Sequence, residues 1–178
     1  MRLDHIALRV KNRVKTAKFL QEAFGYKVQT EFQIFFDERK TQFAECIALE
    51  PPEKLESDLP WQVVAQATYH LAPEIFVSDG SPDSIVGRWV AARGGIGGVH
   101  HFAYQVDSVE DTMNLWKEKG WAEFSTEKPF TCDGLTQVFS VPHELTGVIY
   151  EFIERGKQGF CKENVKDLMT NSVDKYFK

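Results

Sequence analysis

Cysteine is scarce in this sequence of 178 residues, with only Cys46, Cys132 and Cys161, and no two of them form a Cys-x-x-Cys pair. That excludes a zinc knuckle or a dithiol redox motif, and the expectation is three reduced thiols in a cytoplasmic protein. No apolar run approaches the roughly 20 residues needed to cross a bilayer. The first residues, Met1-Arg2-Leu3-Asp4-His5, enter folded-looking sequence without an apolar signal region, so no membrane association is expected. A basic stripe is also missing, and the formal net charge is −5, which makes nucleic acid a poor partner. What remains is an ordinary globular composition rich in aromatics: fourteen Phe, four Trp and five Tyr can line a cavity as well as fill a core.

One unit is written twice. Residues 4–10 read Asp-His-Ile-Ala-Leu-Arg-Val and residues 100–106 read His-His-Phe-Ala-Tyr-Gln-Val. Each copy runs through a polar turn into a helix that ends at a glycine followed by an aromatic, Gly25-Tyr26 and Gly120-Trp121. Recurrence of the His, the Ala, the Val, the helix and its stop in one order marks an internal repeat.

Each unit opens with a strand, Ile6, Leu8 and Val10 alternating to one face in the first copy and Phe102, Tyr104 and Val106 in the second. A helix over 13–24 follows, with Val14, Ala17, Leu20 and Phe24 as its apolar stripe and Gly25 as a left-handed stop. Its counterpart spans 109–119, capped by Asp107 or Ser108 and ended by Gly120. Further strands are expected at 27–32, 42–49 and 74–78, then at 122–126, 136–140 and 148–153. The fold class is therefore α+β, two βαβββ modules at 1–80 and 98–155 within one domain. An inserted loop or lid from Pro51-Pro52 to Trp61, a linker over 81–97 with a short helix near 84–92, and a C-terminal helix within 160–177 complete the chain.

His5 and His101 occupy the same position in their repeats. Strand alternation turns both away from the apolar faces that cover the helices, so paired modules would bring them together in a shared cavity. Arg9 and Gln105 share those cavity faces and could bind a carboxylate or carbonyl. Glu151 lies in the strand Gly147-Val148-Ile149-Tyr150-Glu151-Phe152-Ile153, on the face of Ile149 and Ile153. A carboxylate among apolar neighbours costs several kcal/mol unless it is paired or holds a metal. Glu74 opens the corresponding strand of the first module. Two histidines and one carboxylate suit a non-haem iron(II) site; Glu74 as a fourth ligand would suit Zn, Ni, Co or Mn better.

The motifs Asp4-His5-Ile6-Ala7, His100-His101-Phe102-Ala103 and Gly147-Val148 through Glu151 resemble the vicinal oxygen chelate (glyoxalase/bleomycin resistance/dioxygenase) superfamily over nearly the whole chain. The resemblance implies two paired βαβββ modules forming a curved, cupped mixed sheet, with a divalent metal on His5, His101 and Glu151. Gly134-Leu135-Thr136-Gln137-Val138-Phe139 resembles the 4-hydroxyphenylpyruvate dioxygenase strand whose Gln and Phe contact the keto-acid substrate. The tail, with Gln158-Gly159-Phe160, Asn164, Leu168 and Ser172, is similar to that enzyme's gating helix. Where that enzyme usually has Gln before the second metal histidine, this chain has His100, and its other amide positions correspond to Ser78 and Ser84.

Other features resemble methylmalonyl-CoA epimerase: His100-His101, the spacing from Pro142 to Glu151, the run Ser81-Pro82-Asp83-Ser84, and Glu45 where the epimerase places its general base. The leading expectation is an iron(II) oxygenase acting on a 2-oxo acid or similar chelating small molecule. Gln137 and His100, Phe139, Gln105 and Phe160 would face the substrate. One alternative is an epimerase, isomerase or lyase using Glu45 as base. Another is a resistance protein that binds a small ligand. His70 and His143 read as loop residues, and a homodimer is an open expectation.

Overall fold

The computed structural model describes residues 1–52, 73–155 and 161–171. The expected lid beyond Pro52, His70, Gln158-Gly159-Phe160 and the helix past 171 lie outside the described residues. The first unit runs β1 (Arg2–Val10), α1 (Arg13–Phe24), β2 (Lys27–Phe35), β3 (Phe43–Glu50) and β4 (Glu74–Gly80). After α2 (Ile85–Ala91) the second unit repeats that order: β5 (Gly97–Gln105), α3 (Val109–Glu118), β6 (Phe130–Cys132), β7 (Leu135–Phe139) and β8 (Ile149–Glu154). The last described element is α4 (Lys162–Asn171).

All eight strands form one mixed sheet in the order β2-β3-β4-β1-β5-β8-β7-β6. Its two halves mirror each other about the antiparallel pair β1 and β5. Each of these is flanked by a parallel partner, β4 or β8. The α+β reading with two βαβββ units therefore holds, and the two histidine-bearing strands stand side by side at the centre.

The helix ends follow the capping chemistry read from the sequence. The Asn12 side chain accepts from Lys15 N at the start of α1, and Gly25 takes the left-handed conformation at its end, φ +75°. Ser108, not Asp107, caps α3. The apolar stripe expected for α1 is only partly used. Ala17 is buried and Leu20 packs beside it against Ile47, Leu49 and Val77, but Val14 and Phe24 are exposed. The expected strand at 122–126 reduces to a single bridge between Phe124 and Ser140. Thr126 Oγ1 donates to Lys128 O there, turning the chain before β6, which the sequence reading missed.

The sheet's two faces serve different purposes. α1 and α3 cover one face through Ile6, Leu8, Val10 and Tyr104, as alternation predicts. On the other face Ala7, Ala44, Cys46, Ala48 and Phe76 pack under α2 and α4, the latter through Val165 and Met169. The cysteine expectation is overturned here. Cys132 at the end of β6 and Cys161 just before α4 form a disulfide, while Cys46 is free and buried. The two are 29 residues apart in sequence and are brought within 6.2 Å (Cα–Cα) by the docking of α4 on β6, a proximity no local motif announces. No helix among the described residues is long and apolar enough to cross a membrane.

Candidate metal centre

His5, Ala7 and Arg9 alternate onto the buried inner face of β1, and His101 reaches the same space from β5. Glu151 enters from β8, where it is opposite Ala103. The three side chains meet: His5 Nε2 is 3.3 Å from His101 Nε2 and 3.3 Å from Glu151 Oε2, and His101 Nε2 is 3.0 Å from that same oxygen. Ligand atoms about 2.1 Å from a shared ion stand roughly 3.0 Å apart in octahedral and 3.4 Å in tetrahedral coordination. The donor set and its spacing fit a divalent cation, and Glu151 is only 1% exposed.

Partners outside the triangle fix each donor. His5 Nδ1 is 2.8 Å from Asp4 Oδ1, so the ring donates there and keeps the Nε2 lone pair inward. Asp4 is held in turn by Arg155, whose Nε and Nη2 donate to its two oxygens at 2.8 and 2.6 Å. His101 Nδ1 is 2.8 Å from His100 Nδ1. With His101 Nε2 turned to the triangle, His101 is the donor of that bond and His100 the acceptor. Gln137 Nε2 donates to Glu151 Oε1 at 2.5 Å, which leaves Oε2 for the triangle.

Two β-bulges make this arrangement possible. Between β1 and β5, Leu3 pairs with Tyr104 and His5 with Ala103, so Asp4 is an extra residue. Ala7 pairs with His101 and Leu8 with Val99, so His100 is an extra residue too. A bulge breaks the strict alternation of faces, and consecutive residues His100 and His101 are both buried. Each unit thus supplies one histidine and the preceding residue that orients it.

The charges converge on a site that favours a cation. Burial alone would lower the pKa of His5, but Glu151 and Asp4 outweigh it and hold it up at about 9. Burial would raise Glu151, yet the two histidines hold it down at about 2. Burial keeps His100 well below its ordinary value, with Arg9 and His101 adding to it, and burial likewise lowers His101. For Asp4, burial works upward, and His5 and Arg155 overcome it to hold the carboxyl well below the carboxylate range.

A narrow cavity that opens to solvent adjoins the triangle. Phe139 lies on one wall, its ring 4.8 Å from that of His101, and Leu168 and Met169 of α4 roof it. Gln137 Oε1 has no hydrogen-bond partner among the described residues. Phe139, Gln137 and His100 border the cavity, and Ser78 does so as well. Ser84 instead caps α2, accepting from Gly87 N.

Three expected residues stand elsewhere. Gln105 lies at the far end of β5, where its Oε1 accepts from Arg2 Nε. Glu45 alternates onto the face covered by α1, pairs with Arg13, and accepts from Gln33. It lies on the side of the sheet away from the cavity, so it cannot serve as a base there. Glu74 is drawn to Arg155 at 2.9 Å and is not part of the three-donor cluster. Register explains why. Glu74 pairs with His5, whereas Glu151 pairs with the residue two beyond His101. The first unit's counterpart of Glu151 is thus Phe76, opposite Ala7. Phe160 is outside the described residues. Asp4 and Arg155 were missed as supports of His5, although Asp4 stands in the repeated motif itself.

A family model described as the Glyoxalase/Bleomycin resistance protein/Dioxygenase superfamily matches residues 4–139, which include His5 and His101 and stop short of Glu151. No curated protein matches the chain. Among solved structures, a hypothetical protein from Bacillus halodurans C-125 aligns with TM-score 0.63 and 23% identity, over 90% of this chain and 98% of that one. A methylmalonyl-CoA epimerase from Mycobacterium tuberculosis aligns with TM-score 0.62 and 15% identity, over 87% and 88%. A mutant of 4-hydroxymandelate synthase from Streptomyces coelicolor aligns with TM-score 0.74 and 17% identity, over 97% of this chain and 53% of that one. At these identities the likeness concerns the fold.

Proposed function

The chain belongs to the glyoxalase/bleomycin resistance protein/dioxygenase superfamily, and from that premise we propose an iron(II)-dependent, dioxygenase-like enzyme acting on a 2-oxo acid or similar chelating small molecule. One observation carries this reading: two imidazoles and one carboxylate converge, while Phe76 stands where a fourth ligand would come from the first unit. Three protein donors leave the rest of the coordination shell to substrate, as in the two-histidine, one-carboxylate iron(II) oxygenases. A four-donor site would suit zinc, cobalt, nickel or manganese better, but Glu74 is engaged by Arg155. The epimerase reading loses its base with Glu45 on the opposite face. His5 and Glu151 come from different units, so both units are taken to work as one functional domain.

In this reading His5, His101 and Glu151 hold the ion, which supplies Lewis acidity and redox chemistry toward dioxygen. The remaining roles belong to the chain. Gln137 is anchored through its Nε2 to Glu151 and offers Oε1 to a hydroxyl or amide of the substrate. Phe139 provides an apolar face beside the chelated group. Leu168 and Met169 of α4 line the cavity with apolar surface, which would shield reactive chemistry from water on that side.

Metal analysis of protein purified without chelators is the first test, followed by oxygen uptake with iron(II) and a panel of 2-oxo acids. Iron at about one per chain, with uptake that depends on a 2-oxo acid, is the expected result. Protein loaded anaerobically with iron(II) that binds no 2-oxo acid overturns the reading.

A further inference from the structure

The helix that roofs the cavity is pinned at its start by a covalent bond. Cys161 immediately precedes α4, and its partner Cys132 closes β6, the edge strand of the sheet. Val165, Leu168 and Met169 of α4 line the cavity beside His5, His101 and Glu151, while Lys166 and Asp167 are exposed. Val165 and Met169 join the apolar cluster of Ala7 and Phe76 in the first unit, and Leu168 joins that of Phe139 and Ile149 in the second. The helix therefore bridges both units across the cavity. These contacts, and the 3.1 Å hydrogen bond that Asn164 Nδ2 donates to Leu135 O, are non-covalent and open and reclose within the native state. The disulfide does not, and it holds the first turn of α4 against β6 whenever the rest loosens.

The bond is also placed for exchange. Cys161 packs with Leu135 and Ile153 and is 8% exposed, whereas Cys132 is half-buried and is followed by the exposed pair Asp133-Gly134. A reductant therefore reaches Cys132 Sγ first. Glu163 turns its carboxylate to the sulfurs, Oε2 standing 3.3 Å from Cys161 Sγ and 4.0 Å from Cys132 Sγ. A disulfide sulfur has no proton to donate and a thiol has one, so this carboxylate gains a hydrogen bond only in the reduced form.

We infer that Cys132 and Cys161 form a thiol–disulfide site that acts as a reversible latch on α4, closed when oxidised and released by a dithiol reductant. A thiolate of the reductant attacks Cys132 Sγ, the S–S bond breaks, and its electron pair leaves on Cys161 Sγ, which takes a proton. The reductant's second thiolate attacks the mixed disulfide and expels Cys132, which is protonated in turn. The dithiol ends as a disulfide, having given two electrons and two protons. Freed at its start, α4 lifts more often and opens the cavity to solvent. The latch does not depend on which reaction the cavity performs.

The test is hydrogen exchange of the full chain, read peptide by peptide by mass spectrometry, before and after dithiothreitol. Peptides of α4 are expected to exchange about ten-fold or more faster once the bond is reduced, while β1 and β5 stay within about two-fold. Glutathione disulfide should restore slow exchange. Cys46 gives a second reading, because it is 1% exposed and shares the apolar cluster of Val165 and Met169. It is the free thiol of the oxidised protein and the remaining cysteine of the double variant Cys132→Ser, Cys161→Ser. Its alkylation by iodoacetamide should be about ten-fold faster in that variant.

Three free thiols after treatment with glutathione disulfide overturn the latch, as does a bond that dithiothreitol reduces only in denaturant. Exchange of α4 that reduction leaves unchanged overturns it too. So does exchange that rises equally in α4, β1 and β5, which marks a staple of the whole fold. The comparison in unaltered protein does not depend on how well the serine variant folds.

Discussion

The two units of this chain share a plan and differ at one decisive position. In the second, β8 delivers Glu151 to the centre from opposite Ala103. In the first, the residue opposite Ala7 on β4 is Phe76, an apolar wall of the cavity. Glu74 is displaced two residues along the strand, which keeps the same face but moves the carboxylate to the rim, where it meets Arg155. A duplicated scaffold therefore has one full donor pair and one half pair. The difference lies in one side chain: a ring stands in the first unit where the second has a carboxylate, while both backbones keep the same register.

Removing the second unit's contribution should have the largest effect. Glu151→Ala leaves two imidazoles and an unanchored Gln137, and divalent metal affinity should fall by on the order of 1000-fold, beyond the 10–100-fold typical of outer partners. Metal titration followed by thermal unfolding measures it. Restoring the missing donor in the first unit sharpens the comparison from the other side. Phe76→Glu should raise zinc or cobalt affinity by about 10-fold or more and abolish substrate-dependent oxygen uptake, since a fourth donor fills a position the substrate needs.

The supports of the first histidine should come next. Asp4→Asn keeps the hydrogen bond to His5 Nδ1 but removes the charge, and metal affinity should drop about 10–100-fold. Among the described residues the Glu74 side chain meets Arg155 and Gln29, so the effect of Glu74→Gln should stay within about three-fold. A loss for Glu74→Gln as large as that for Asp4→Asn would show that the first unit does contribute its carboxylate.

A separate effect is a dependence of stability on pH in metal-free protein. His5 is raised to about 9, so its contribution is complete below 6.5 and is lost as pH rises through 9. Glu151 is lowered to about 2, so its contribution is present above 4.5 and is lost as pH falls through 2. His100 and His101 are lowered, so the unfolded chain takes up protons that the native state refuses once pH drops below 6.5. Metal-free protein should be most stable near pH 6.5 and lose on the order of 1–3 kcal/mol by pH 9.5 in denaturant titrations. Bound metal should relieve the alkaline loss, because it takes the place of the His5 proton.

The central features were legible because they recur or conflict with their surroundings. His5 and His101 stand at the same point of two repeats, and Glu151 sits in a strand whose inner face is otherwise apolar. The sequence leaves Glu74 open as a fourth ligand, because residue type suggests an equivalence that only strand register can decide. Glu45 entered as a base only through resemblance, and its alternation with Ala44 and Cys46 turns it to the helix side once those two are seen to face the cavity side. The bulges at Asp4 and His100 carry no local signature, since any pair of adjacent polar residues in a strand looks alike before its partner strand is known. The disulfide was hidden for the same reason, its halves meeting only after α4 docks.

That disulfide also decides what the chain can do when it is not folded. Cys132 and Cys161 close a covalent ring that contains β7 and β8, and with them Gln137, Phe139 and Glu151. In the chain-entropy description, closing a ring of 29 residues restricts the unfolded ensemble by about 3–4 kcal/mol. A cut anywhere in the exposed turn around Leu145 would leave its two ends tethered. The strand that supplies the carboxylate and the strand that positions it would then separate from the rest of the molecule only together.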